Sequence, residues 1–224
     1  MAASVHLHPT ADLAPRVLLP GDPGRALLLA QTLLEAPKMF NHNRGLWGYT
    51  GAAADGAPLT IQSTGMGGPS AAIVLAELAD LGAQTVVRVG TCGALAPALA
   101  LGDLVAVERA LSADGTSVAL GGRDPRPDAA LTSALRAEHR GTVATTDLFY
   151  EADPGRHDTW AAAGALAVEM ECAAVFAVAA QRGLAAAALL LVSDIVVPVR
   201  ERIDPERLRE GEERLGRHAL AALA

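Results

Sequence analysis

The chain has 224 residues, 51% hydrophobic, 19% charged and only 3% aromatic, with a formal net charge of −7. That balance excludes a disordered chain, and the acidic excess argues against nucleic acid as the main partner. A chain of this length buries roughly 70% of its unfolded surface, and with so few aromatics its core must be built from Ala, Leu and Val.

Residues 16–20 read as a strand that ends at Gly21-Asp22-Pro23. Pro23 suits the first turn of a helix, which runs to about Leu34. Residues 58–64 read as a second strand, followed by a glycine turn at 65–68 and a helix over 69–81. Residues 85–90 form a short apolar run interrupted by Arg88, and 103–111 another strand. The Gly/Pro/Asp-rich stretch 115–128 is predicted to be a long surface loop. A helix near 129–138, a strand near 142–146, a helix over 172–182 and a buried strand over 186–192 follow. From Pro205 the pattern is that of an amphipathic helix. Strands alternating with helices imply one α/β domain, residues 1–224, with a largely parallel sheet.

Lysine occurs once, at Lys38, and every other cationic side chain is Arg. A G+C-rich gene accounts for such a bias, although Arg is also the side chain suited to bidentate capture of phosphate. Cys92 and Cys172 are far apart with no CxxC pair, so neither a disulfide framework nor a zinc site is expected. The N-terminal segment lacks the pattern of a secretory signal. The longest apolar stretch, 184–192, is too short to cross a bilayer. These features predict a soluble, cytoplasmic protein without metal or organic cofactor.

Ligands of open α/β sheets collect at the carboxyl ends of strands, and five groups of residues sit there. Gly21-Asp22-Pro23-Gly24-Arg25 places an Arg in a first helical turn, where free N–H groups favour an anion; an ordinary tight turn reads the same way. Residues 63–70, STGMGGPS, resemble a phosphate-cradling turn but lack the features of a P-loop or a dinucleotide fingerprint. Arg88 precedes a Gly90-Thr91 turn, and a buried Arg needs a carboxylate or an anionic ligand. Glu169 and Glu171, two apart, face one pocket if the chain is extended; helix-start charge is the alternative. Ser193-Asp194 ends an apolar strand, where a partly desolvated carboxyl group suits proton donation, or simply caps a turn. No GxSxG, HExxH or kinase signature is present.

Taken in order, GDPGR, NRGLWGYTG, STGMGGPS, RVGTCGA, DLFY, VEMECAA and VSD resemble the nucleoside phosphorylase superfamily, and more narrowly the bacterial hexameric purine nucleoside phosphorylases. The resemblance runs from about His6 to Asp194. It implies a three-layer α/β/α sandwich with a central mixed sheet, and phosphorolysis of a purine nucleoside to free base and ribose 1-phosphate. Phosphate, a co-substrate, would be held by Gly21, Arg25, Arg88, Gly90 and Thr91, with Arg44 supplied by a neighbouring subunit. Glu171 would bind the ribose 2′- and 3′-hydroxyls, with Met170 against the sugar. Phe149 would stack on the base near Val168, Glu169 and Ser193. His6 would reach the 5′-hydroxyl across a dimer interface. Asp194 would protonate purine N7, assisted by an Arg of the last helix. The gapless match to that Arg is Arg207, with Arg200 and Arg202 as rivals.

Shared site residues imply at least a dimer, and the resemblance implies a hexamer. The related uridine phosphorylases carry Gln-x-Arg after the Phe-Tyr pair, where this chain has Pro154-Gly155-Arg156, and they lack the Asp matched by Asp194. Both departures favour purines. Phosphate-independent nucleosidases share the Met-Glu and Ser-Asp elements but do not need the three arginines. A binding protein with a dead site is the remaining alternative.

Overall fold

The chain folds in the order β1 (Arg16–Leu19), α1 (Pro23–Leu33), β2 (Leu34–Asn41), β3 (Gly48–Ala53), β4 (Pro58–Gln62), α2 (Gly68–Leu81) and β5 (Thr85–Ala94). Then come β6 (Leu104–Ala113), α3 (Gly115–Ala119), α4 (Ala129–Ala134), β7 (His139–Thr146), α5 (Gly155–Ala162) and β8 (Ala165–Glu169). The last elements are α6 (Cys172–Arg182), β9 (Ala185–Ile195), β10 (Glu201–Arg202) and α7 (Pro205–Ala221). The computed structural model describes residues 4–153, 155–197 and 199–224. Residues 1–3 of the N-terminal segment, and Pro154 of the Pro-Gly-Arg stretch, lie outside them.

Local chemistry sets the ends of these elements. Asp22 caps α1 by accepting from the backbone N–H of Arg25 at 2.7 Å, as a carboxylate at a helix start does. Pro23 occupies the first turn, where a missing N–H costs nothing. Gly82 and Gly183 close α2 and α6 in the left-handed conformation, which lacks the Cβ penalty only for glycine.

The sheet corrects the largely parallel reading. Among the described residues, ten strands lie in the order β10-β9-β6-β7-β8-β5-β1-β4-β3-β2, with β9 also pairing β5. Pairs β1–β4, β1–β5, β5–β9, β6–β7 and β7–β8 are parallel, whereas β2–β3, β3–β4, β5–β8, β6–β9 and β9–β10 are antiparallel. The sheet is therefore mixed, and β5, β9, β6, β7 and β8 close into a ring. Strand alternation alone could not show this, because helical crossovers and hairpins leave the same apolar runs.

Successive residues of β9 point to opposite cores. Ala186, Ala188, Leu190 and Val192 pack with α2 and α6, while Ala187, Leu189 and Leu191 pack with α1, α4 and α7. Helices thus cover both faces, giving three layers, and a strand covered on both faces shows no polar alternation. Each fully buried Leu contributes about 1.5–3 kcal/mol, so the run Leu189–Leu190–Leu191, all 0% exposed, anchors the middle of the sheet.

Other differences have local causes. The strands β2 and β3 escaped sequence reading because β2 carries Pro37 and Lys38 and is exposed over most of its length. The predicted loop 115–128 contains α3, capped by Asp114. The predicted helix 129–138 stops at Ala134, because Leu135 turns extended. Among the described residues no helix is long and apolar enough to cross a membrane.

Candidate active site

The carboxyl ends of β5, β7, β8 and β9, with the turn after β1, meet around one cleft of about 840 Å3. Its walls include Gly21, Arg25, Arg88, Gly90, Thr91, Phe149, Val168, Glu169, Met170, Glu171, Ser193 and Asp194. Most of the residues expected to share a site are thus brought together by the topology.

Arg88 lies at the floor and is 3% exposed. Its Nε donates to Glu169 Oε2 at 3.2 Å, and its Nη2 lies 3.0 Å from the same oxygen and bonds Glu171 Oε2. Burial disfavours its charge, but the two carboxylates outweigh that and hold it above the ordinary arginine value. Gly90 makes the arrangement possible, since a Cβ there would sit 2.7 Å from Arg88 Nη2. The remaining nitrogen, Nη1, is buried without a hydrogen-bond partner and lies 4.0 Å from where a Cβ on Gly21 would be. A buried donor left unpaired costs about 1–3 kcal/mol, which a ligand oxygen at this end of the cleft would recover.

Glu169 ends β8 and reaches back over the start of α6. It accepts from the backbone N–H of Glu171 at 2.8 Å and of Cys172 at 2.9 Å, and from Thr145 Oγ1 at 2.5 Å. The pair splits between the two sequence readings: Glu169 is tied to N–H groups at the start of α6, and Glu171, which is not extended, lines the cleft. Glu171 accepts from the Gly67 N–H at 2.6 Å. Its burial pushes its carboxyl group above the usual range, a shift that Arg88 only partly opposes and Glu169 reinforces.

Arg25 comes from the first turn of α1. Its Nε donates to Glu212 Oε1 of α7 at 2.8 Å, while Nη1 makes only a long contact of 3.5 Å to Val89 O. Elsewhere in the cleft wall, Ser193 Oγ donates to Asp194 Oδ2 at 2.8 Å. Asp194 Oδ1 is buried and lacks a hydrogen bond of good geometry, although Arg200 Nε and Arg202 Nε lie 3.3 and 3.2 Å away. The Arg200 guanidinium also sits over the Phe149 ring, 4.4 Å from its centroid, within the range of a cation–π contact.

Arg207 lies elsewhere, as do His6 and Arg44, the two residues expected from a neighbouring subunit. Arg207 bonds Leu101 O at 3.1 Å and borders a second, apolar cavity. It is not brought to Asp194, because the chain after β9 folds back as β10, pairing Arg202 with Asp194. The neighbours of Asp194 are Arg200 and Arg202. His6 is outside the cleft, its Nδ1 2.7 Å from Glu77 Oε1. Arg44 is exposed in a short 3-10 turn, with a left-handed φ of 58°.

A family model described as the phosphorylase superfamily matches residues 15–224. The chain belongs to the phosphorylase superfamily. It is 38% identical over 218 residues to a purine nucleoside phosphorylase, DeoD-type, from Geobacillus kaustophilus, covering 91% of each chain. A protein of the same name from Caldanaerobacter subterraneus is 39% identical over 199 residues, covering 83% of this chain and 85% of that one. The crystal structure of a uridine phosphorylase from Vibrio fischeri matches with a TM-score of 0.86 at 28% identity, covering 99% and 98% of the two chains. Membership makes this chain an enzyme of the pentosyltransferase kind.

The cleft also contains residues that sequence reasoning missed. Thr146, His157 and Trp160 line the cleft beside Phe149, with the His157 and Trp160 rings 5.6 Å apart. Both rings come from α5, a short helix whose only buried residue is Trp160, so no apolar periodicity announced it. Glu212 was missed because its relation to Arg25 spans 187 residues of sequence.

Proposed function

We propose that the protein cleaves purine nucleosides with inorganic phosphate, giving free base and ribose 1-phosphate. The observation that carries this reading is the unpaired, buried Nη1 of Arg88, beside Gly21 in the wall of a cleft that Arg25 and Asp194 also line. An anion site and a proton donor in one space suit glycosidic cleavage. The bond breaks with positive charge on the ribose and negative charge on the leaving base.

In this reading phosphate lies against Gly21, Arg25, Arg88, Gly90 and Thr91 and attacks C1′. Holding both reactants supplies the proximity contribution. Within one chain Arg25 and Arg88 already face Glu169, Glu171 and Glu212, so a phosphate dianion needs a further cation. Arg44 is exposed and, among the described residues, has no ion-pair partner; a second copy would bring it, together with His6 for the 5′-hydroxyl. The active unit is then at least a dimer, and a hexamer by family resemblance.

Glu171 holds the ribose 2′- and 3′-hydroxyls with lone pairs not used by Gly67 and Arg88, since a carboxylate accepts about four hydrogen bonds. Met170 packs on the sugar. The base stacks on Phe149, near Val168, Glu169 and Ser193, and Asp194 gives its proton to N7. Arg200 and Arg202, rather than Arg207, are the arginines placed to steer that proton.

Uridine is the second reading, favoured by the likeness to the Vibrio fischeri structure. Against it, Arg156 is half exposed, pairs with Glu151 at 3.4 Å and does not line the cleft. The test is base release from inosine and from uridine, each with and without phosphate. Release from inosine only with phosphate, yielding ribose 1-phosphate, supports the proposal. Phosphate-independent release, or faster cleavage of uridine, overturns it.

A further inference from the structure

The pairing of Arg25 with Glu212 joins the cleft to the C-terminal helix. Arg25 sits in the first turn of α1 and Glu212 in the middle of α7, and their side chains are only 9% and 13% exposed. The approach of the two helices depends on α7 residues without side chains. A Cβ on Gly216 would collide with Leu29 of α1, and one on Gly211 would sit 2.8 Å from Leu191 of β9. Leu215 and Ala219, both 0% exposed, seal the same face of α7. Glu212 therefore approaches Arg25 from a backbone that close packing fixes.

The division of contacts on the guanidinium matters. Glu212 takes Nε at 2.8 Å, and Nη1 is left with a weak 3.5 Å contact. Fixing an arginine side chain costs rotamer freedom, and a ligand avoids that cost if the side chain is already held. We infer that Glu212 is a positioning residue for the oxyanion co-substrate: it holds Arg25 by Nε so that both Nη groups face the cleft. The inference rests on the phosphorolytic reading above. Its sign is informative, because a carboxylate near an anion site is electrostatically unfavourable, so only positioning predicts that its removal weakens anion binding.

The experiment measures KM for inorganic phosphate and for the nucleoside in the assembled wild-type enzyme, Glu212→Ala and Glu212→Gln, with calorimetric titration of phosphate alone. Glu212→Ala is expected to raise the phosphate KM and Kd about tenfold while leaving the nucleoside KM within about twofold. Glu212→Gln, whose amide oxygen still accepts from Nε, is expected to stay within about threefold of wild type. An unchanged or lowered phosphate KM in Glu212→Ala overturns the inference, as does an equal rise in both KM values. Should Glu212→Ala fail to assemble, Glu212→Asp takes its place, because the shorter side chain withdraws from Nε; an unchanged phosphate KM there also overturns it. A wild-type enzyme that turns over without phosphate would instead refute the phosphorolytic reading itself.

Discussion

Replacing Arg88 with Met removes the cation that pairs with two buried carboxylates. Met fills much of the volume but none of the charge. Breaking a buried ion pair from one side costs about 3–5 kcal/mol. The lower end applies here, because Glu169 keeps its bonds from Thr145 Oγ1 and the N–H groups of Glu171 and Cys172. Glu171 keeps only the Gly67 N–H. Its carboxyl group, already pushed up by burial with Arg88 present, rises further without it. A carboxyl group whose folded pKa exceeds its unfolded value near 4.5 binds protons more tightly when folded, so stability falls as pH rises through that window. The deficit of Arg88→Met relative to wild type should therefore be larger at pH 8 than at pH 5. Urea unfolding at fixed protein concentration, at both pH values, measures it. A deficit below about 1 kcal/mol, well under that expected of a broken buried pair, or one that is equal at the two pH values, would refute the account of a shared guanidinium. Loss of the Nη1 donor should also remove about 1.5–3 kcal/mol of phosphate affinity.

Asp194→Asn should lower kcat by roughly 100-fold or more, as expected for loss of a general acid, while calorimetry still shows phosphate binding; full turnover would remove Asp194 from the chemistry. Gly216→Ala should destabilise by about 1–3 kcal/mol through overpacking, read as a lower melting temperature, and an unchanged value would contradict the close seating of α7 on α1. Burial pushes the Cys92 thiol up, so a disulfide reagent at pH 8 should leave it unmodified in the native state and label it in urea; rapid native labelling would contradict its burial. Burial tends to raise the Glu77 carboxyl group, but the N–H groups of Leu7, His6 and Val5 and the His6 ring hold it below its ordinary value. Its stabilising contribution is then present above about pH 4.5, the ordinary glutamate range, and lost as pH falls through the lowered value. Amide exchange at residues 5–7 should speed up on acidification once the intrinsic rate is accounted for, and Glu77→Gln should show the fast rate at neutral pH.

The sequence carried the parts of this architecture that local chemistry determines. Pro23 behind Gly21-Asp22 marked α1, and the apolar runs marked β5 and β9. The pairings did not show, since a ring of strands and an open sheet use the same residues. The Arg25 and Arg88 positions in the cleft were legible because each interrupts an apolar or glycine context. The surroundings of Asp194 were legible only in part. Arg207 came from a gapless match to the family's helix arginine, yet residues 201–202 pair back on β9 and the rivals Arg200 and Arg202 are the ones beside Asp194. The signal for that was present: Arg200 and Arg202 are two apart, so on an extended segment they share a face.

The ten-stranded sheet ends at β10 on one side and β2 on the other. Unpaired strand borders are templates for adding another chain. Here β10 has only two residues, and β2 is interrupted by register shifts, by a left-handed Ala36 and by Pro37 beside the chain's one lysine. Neither border offers a long, flat row of free backbone groups. Strand-to-strand addition of further copies therefore finds no long template at these two borders.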